Sequence, residues 1–124
     1  MDDLQDKLLG TYLGRCTNLT AEPPITAEIV LVLKRFQDKE VIGDLTVHGH
    51  LHGGSEFSGV LSGERLTFVT RTSNKKSSIT WSGIFSKEGI LGEYVVVHES
   101  FLRVLLLGTR TERGVWQCVK RDTL

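Results

Sequence analysis

The chain has 124 residues, with 15 lysines and arginines against 15 aspartates and glutamates, two cysteines, and no apolar run of membrane-spanning length. Balanced charge supplies no field to draw in nucleic acid or an anionic membrane, and the length suits one domain, 1–124, whose core needs no staples. The acidic start Met1-Asp-Asp lacks the basic and apolar regions of a secretory signal, so a cytoplasmic protein with reduced thiols at Cys16 and Cys118 is expected.

In chain order, the first element is an acidic lead whose Leu4 and Leu8 suit one side of a short N-terminal helical turn. Beyond it the apolar pattern has period two almost throughout, which predicts eight strands over about 9–18, 25–36, 40–48, 56–62, 65–71, 77–85, 89–97 and 114–121. The links at Gln37-Asp-Lys, Ser62-Gly-Glu64, Ser73-Asn-Lys-Lys76 and Ser86-Lys-Glu-Gly89 are short and rich in turn formers. Antiparallel hairpins in sequence make a meander, and nothing alternates with a long helical pattern, so crossover connections are not expected.

One parity of these strands collects Tyr12, Ile29, Leu31, Leu33, Leu45, Phe57, Leu66, Phe68, Trp81, Tyr94, Trp116 and Cys118, and is assigned to the inside. Glycines 10, 14, 43, 59, 83 and 92 share that face, and glycine beside an aromatic permits the close approach and sharp bending of a small barrel. The expected fold is therefore an all-β, eight-stranded antiparallel up-and-down (meander) barrel with an interior largely filled by side chains.

The alternation breaks in two ways. At Ile29-Val30-Leu31-Val32-Leu33 and Tyr94-Val95-Val96-Val97 both faces are apolar, and Leu91 adds to the outer set, which predicts that something covers the outside. A second copy of the chain is the expected cover, through Val30, Val32, Leu91, Val95 and Val97. The other break is the apolar segment 99–108, with Phe101, Leu102 and Leu105, whose letters suit a helix or a strand and which must be buried as a plug or in the subunit interface.

Three constellations carry chemistry. Tyr12, Phe57, Phe68, Trp81, Tyr94 and Trp116 are the residues with which an aromatic-lined barrel would hold a small apolar or planar ligand, and they are equally the residues that fill a core. His48, His50 and His52, two apart, project from one face of an extended segment at intervals of about 7 Å and are candidate metal ligands, with Glu56 or His98 as a fourth. Arg71, Lys75, Lys76, Arg110, Arg113, Lys120 and Arg121 could gather at one rim but lack the interleaved aromatics of a single-strand nucleic-acid platform. The predicted interior holds no carboxylate, lysine or histidine, and neither cysteine has a histidine near it in sequence to generate thiolate. No catalytic residues and no cofactor are expected.

The run Gly10-Thr-Tyr12-Leu-Gly14, Asn18, Gly43-Asp-Leu45, Phe57-Ser-Gly59, Leu66-Thr-Phe68, Trp81-Ser-Gly83, Gly92-Glu-Tyr94 and Gly114-Val-Trp116 resembles the small lipocalin-like and avidin-like meander barrels, particularly a short module of bacterial, often cyanobacterial, proteins. That resemblance implies a barrel that forms oligomers. Avidin-like barrels bind biotin between aromatic walls, here Trp81 and Trp116, and a shell of hydroxyl and amide donors, which the predicted inner face lacks. The expectation is a non-catalytic interaction or binding module that self-associates through its outer apolar strands. The alternatives are a carrier of a small apolar or planar ligand and a histidine-cluster metal protein.

Overall fold

The computed structural model describes residues 7–48, 54–71, 77–98 and 111–121. They form eight strands: β1 (Gly10–Asn18), β2 (Ile25–Gln37), β3 (Glu40–Val47), β4 (Ser55–Ser62), β5 (Arg65–Arg71), β6 (Ser77–Ser86), β7 (Gly89–His98) and β8 (Thr111–Lys120). Each pairs antiparallel with the next, and β8 pairs with β1, closing the barrel in simple meander order. This is the expected all-β architecture and is consistent with a lipocalin-like barrel. Most of the expected N-terminal turn lies outside the described residues, as does the segment 99–108 with Phe101, Leu102 and Leu105.

The two ends differ. The links 37–40, 62–65 and 86–89 are tight hairpins at one end, and the first carries Asp38 at a left-handed φ of 57°, a conformation Asp tolerates better than most residues. At this end Leu8, Leu9, Phe36 and Phe85 pack against the core, and the Tyr12 hydroxyl donates to the Leu8 carbonyl at 2.7 Å. By its charge Lys120 reads as an outward residue of the last strand, but it shares the parity of inward Cys118. It is half-buried at the barrel end, with its ammonium donating to the Lys7 carbonyl. All the longer connections, 18–25, 47–55, 71–77 and 98–111, join strands at the opposite end.

Inside, the period-two pattern holds closely. Leu31, Val41, Leu66, Trp81 and Trp116 are essentially inaccessible, and Phe57 and Phe68 stack with ring centroids 4.0 Å apart. The glycine–aromatic pattern works across strands. Gly43 pairs in register with Phe57, and Gly114 with Tyr94. A Cβ on Gly43 would meet the Phe57 ring at 2.7 Å, and one on Gly114 would lie inside the envelope of the Tyr94 ring. The neighbouring strand's aromatic thus occupies the space each glycine leaves. One irregularity in β2, a register shift between Leu33 and Arg35, puts Lys34 and Arg35 both outward before Phe36 turns back toward the core.

Candidate functional site

Five of the six aromatics proposed for ligand binding, Phe57, Phe68, Trp81, Tyr94 and Trp116, are joined in one cluster of ring contacts. Trp81 is its hub, with ring centroids 4.8 Å from Tyr94, 5.8 Å from Trp116 and 6.0 Å from Phe68. Tyr12 lies toward the hairpin end, edge-on to Phe85 at 6.2 Å. The polar tips are engaged within the protein: the Trp81 indole donates to Thr70 Oγ1 at 2.9 Å, and that of Trp116 to the Glu93 carbonyl at 3.0 Å.

At the long-connection end the inner face becomes polar, against expectation. His98 on β7 is only 5% exposed. Its Nε2 lies 2.5 Å from Glu112 Oε2 and its Nδ1 2.8 Å from Ser77 Oγ. A carboxylate only accepts, so the proton sits on Nε2, and in the neutral imidazole Nδ1 then accepts from the serine hydroxyl. Asn18 Nδ2 donates to Glu112 Oε1 at 2.9 Å, while Asn18 Oδ1 takes the backbone N–H groups of Thr20 and Ala21. The chain of bonds ties β1, β6, β7 and β8 together, and no buried side-chain polar atom among the described residues is left unpartnered.

Serine, histidine and carboxylate in hydrogen-bonded sequence are the parts of nucleophilic catalysis, but their order from solvent is reversed. Ser77 is wholly buried, whereas the Glu112 side chain is 22% exposed. The cluster therefore reads as an internal clasp that aligns four strands. Its members were legible from the alternation. Asn18 continues the parity of Tyr12 and Cys16, Ser77 that of Ile79 and Trp81, and His98 that of Tyr94 and Val96. Glu112 belongs to a first turn of β8 that begins at Thr111, three residues before the predicted start.

Burial dominates the titration of the interior. Loss of water pushes the Cys16 thiol up to about 11 and that of Cys118 to about 12. It pushes the Tyr12 phenol up to about 12, with help from Cys118, and raises Tyr94 further, with help from Cys16 and Glu112. Thiols so placed are poor nucleophiles. Each of these groups is neutral when protonated and holds its proton more tightly folded than unfolded. Their contribution to stability is complete below the unfolded thiol value of 9.0 and is lost as pH rises through the folded values. We expect the thermal midpoint to hold steady up to about pH 9 and then fall steeply toward pH 12. At neutral pH a thiol reagent should titrate both cysteines only after denaturant is added. Melting curves across that pH range, with thiol counts alongside, check both statements.

Of the histidine trio, His48 is exposed at the end of β3, and His50 and His52 lie outside the described residues. No group of three metal-ligating side chains occurs among the described residues. Of the basic residues expected at one rim, Arg71 and Arg113 stand at the long-connection end and Lys120 and Arg121 at the hairpin end, while Lys75, Lys76 and Arg110 lie outside the described residues.

The outer surface carries a continuous apolar belt. Val30 pairs in register with Leu13, and Leu13 with Val119. Leu91, diagonal to Val119 across the β7–β8 ladder, pairs in turn with Ile84. Leu91 is 65% exposed, Val119 59% and Leu13 47%. Leu91 forms a ridge between two open grooves. One, of about 470 Å³, runs past Arg65, Ser82, Ile84, Glu93 and Val115; the other, of about 320 Å³, runs past Leu13, Arg15, Glu88 and Val119. Val30, Val32, Val95 and Val97 are half-buried rather than open, so the exposed surface is centred on β1, β8 and β7, with Val30 at its margin. Comparison of the chain with protein-family models, curated proteins and solved structures finds no match.

Proposed function

We propose that this protein is a non-catalytic binding module, a cytoplasmic lipocalin-like barrel that associates with copies of itself through its outer face. The observation that carries this reading is the belt from Val30 through Leu13, Val119 and Leu91 to Ile84. Scattered exposed aliphatics are ordinary, but side chains adjacent across five successive strands form a patch of the kind that marks an interaction site. The self-complementary use of one patch is the commonest way such modules assemble.

The test is native mass spectrometry and light scattering of untagged protein. A homo-oligomer without added mass is expected. Leu91→Lys should shift it to monomer, because a charge placed at the middle of an apolar contact must be desolvated without a partner. The same substitution on an exposed position should move the thermal midpoint of the fold by no more than a degree or two. A wild-type protein that stays monomeric at millimolar concentration removes the reading.

A second reading, a carrier of a small planar ligand, is favoured by one specific feature. Asn18, Thr70, Ser77 and His98 place amide, hydroxyl and imidazole groups at the long-connection end, where Thr70 accepts from the Trp81 indole. Orientation of a ligand over an aromatic wall uses such groups. Added mass that leaves on denaturation would support it.

A further inference from the structure

We infer that the self-association proposed above is isologous, with its two-fold axis passing beside Ser82, so that Leu91 of each copy enters the other's larger groove and Arg65 of each faces the partner's Glu93. This rests on the self-association reading and adds where the contact lies and what aligns it.

The argument starts from the ladder. Arg65 on β5 pairs with Ile84 on β6, which pairs with Leu91 on β7. In the next outward row, Ser82 pairs with Glu93, and Glu93 with Val115. One groove therefore has an apolar floor and flank, Ile84, Leu91 and Val115, with one cation and one anion on its rim. Ser82 stands between the two charges, and the Arg65 guanidinium is steadied by donating to Ser82 Oγ at 2.7 Å.

A patch that pairs with itself must carry both halves of every contact. A patch of one sign would repel its copy, whereas opposite charges on either side of an axis meet their complements twice. Leu91, the most exposed large aliphatic among the described residues, supplies the knob, and the groove beside it supplies the space. The second groove also has a charge of each sign, Arg15 and Glu88, but its apolar side chains, Leu13, Leu91 and Val119, stand well out from the surface. It suits the flank of a contact better than its centre.

The experiment is a charge exchange read by native mass spectrometry on R65E, E93R, an equimolar mixture of the two, and the R65E/E93R double variant. Both positions are exposed, so folding is expected to survive and is checked by circular dichroism. Each single variant places like charges across the axis and should weaken self-association by about tenfold or more. The mixture should form a heterodimer in preference to either homodimer, since one chain then carries two anions and the other two cations. The double variant should regain most of the wild-type affinity. If the wild-type protein associates but the single variants do so equally well and their mixture is statistical, this axis is overturned while self-association stands. If the wild-type protein does not associate at all, both fall.

Discussion

Trp81→Ala lowers the free energy of unfolding by about 3–5 kcal/mol, the largest loss expected from any single truncation in this barrel. The indole touches Phe68, Tyr94 and Trp116 at once, and its N–H is the donor to Thr70 Oγ1 in a site with no exposed surface to spare. Removing it leaves a void bordered by three rings and a buried hydroxyl without its donor, so the transfer loss, the cavity and the orphaned acceptor add. Trp81→Phe keeps most of the volume and should cost roughly half as much. Urea denaturation of the three proteins, with near-ultraviolet dichroism to report ring packing, checks the order. A loss below about 1.5 kcal/mol for the alanine variant would mean that the cluster collapses around the gap.

His98→Ala should cost about 2–3 kcal/mol for a different reason, because it cuts a buried chain of hydrogen bonds in the middle. The substitution removes little apolar contact, yet it takes away the imidazole bonds to Glu112 Oε2 and Ser77 Oγ together. Among the contacts described, the half-buried carboxylate then keeps Asn18. Replacing three members with apolar groups, Ser77→Ala with His98→Leu and Glu112→Leu, should recover part of the loss, since of this chain of bonds only the Asn18 amide is left to find a new acceptor. If the triple variant is as unstable as His98→Ala, the network contributes more than its pairwise bonds, and strand alignment is its main product. Chemical denaturation again gives the numbers, and hydrogen exchange at the ends of β1, β6, β7 and β8 shows whether the four strands fray together.

The meander was readable because two physical signals agreed along the whole chain: apolar residues at every second position and turn formers between the runs. Trp81, Phe68 and Leu66 had only one face to occupy, and they occupy it. The polar clasp escaped because a histidine or a glutamate at a strand end reads as solvent-facing, although His98 stood two residues beyond buried Val96. Thr111, Glu112 and Arg113 look like loop residues, and only pairing with β7 draws them into β8. Parity was available for each, but parity says nothing about where pairing stops. Lys120 shows the same error at the other end, where a charge outweighed a position that shared the inner face with Cys118. On the outer surface the sequence pointed to runs of valine. The exposed belt keeps Leu91 from the expected outer set and adds Leu13 and Val119, whereas Val32, Val95 and Val97 are half-buried.

The joining of β8 to β1 has a consequence for how this protein meets others. Each of the eight described strands has a neighbour on both sides, so the described barrel has no edge strand of the kind to which a foreign strand adds. A partner on the described outer wall meets side chains, and those side chains are not shared with the core. The barrel can therefore gain, lose or exchange partners one substitution at a time while its interior stays unchanged.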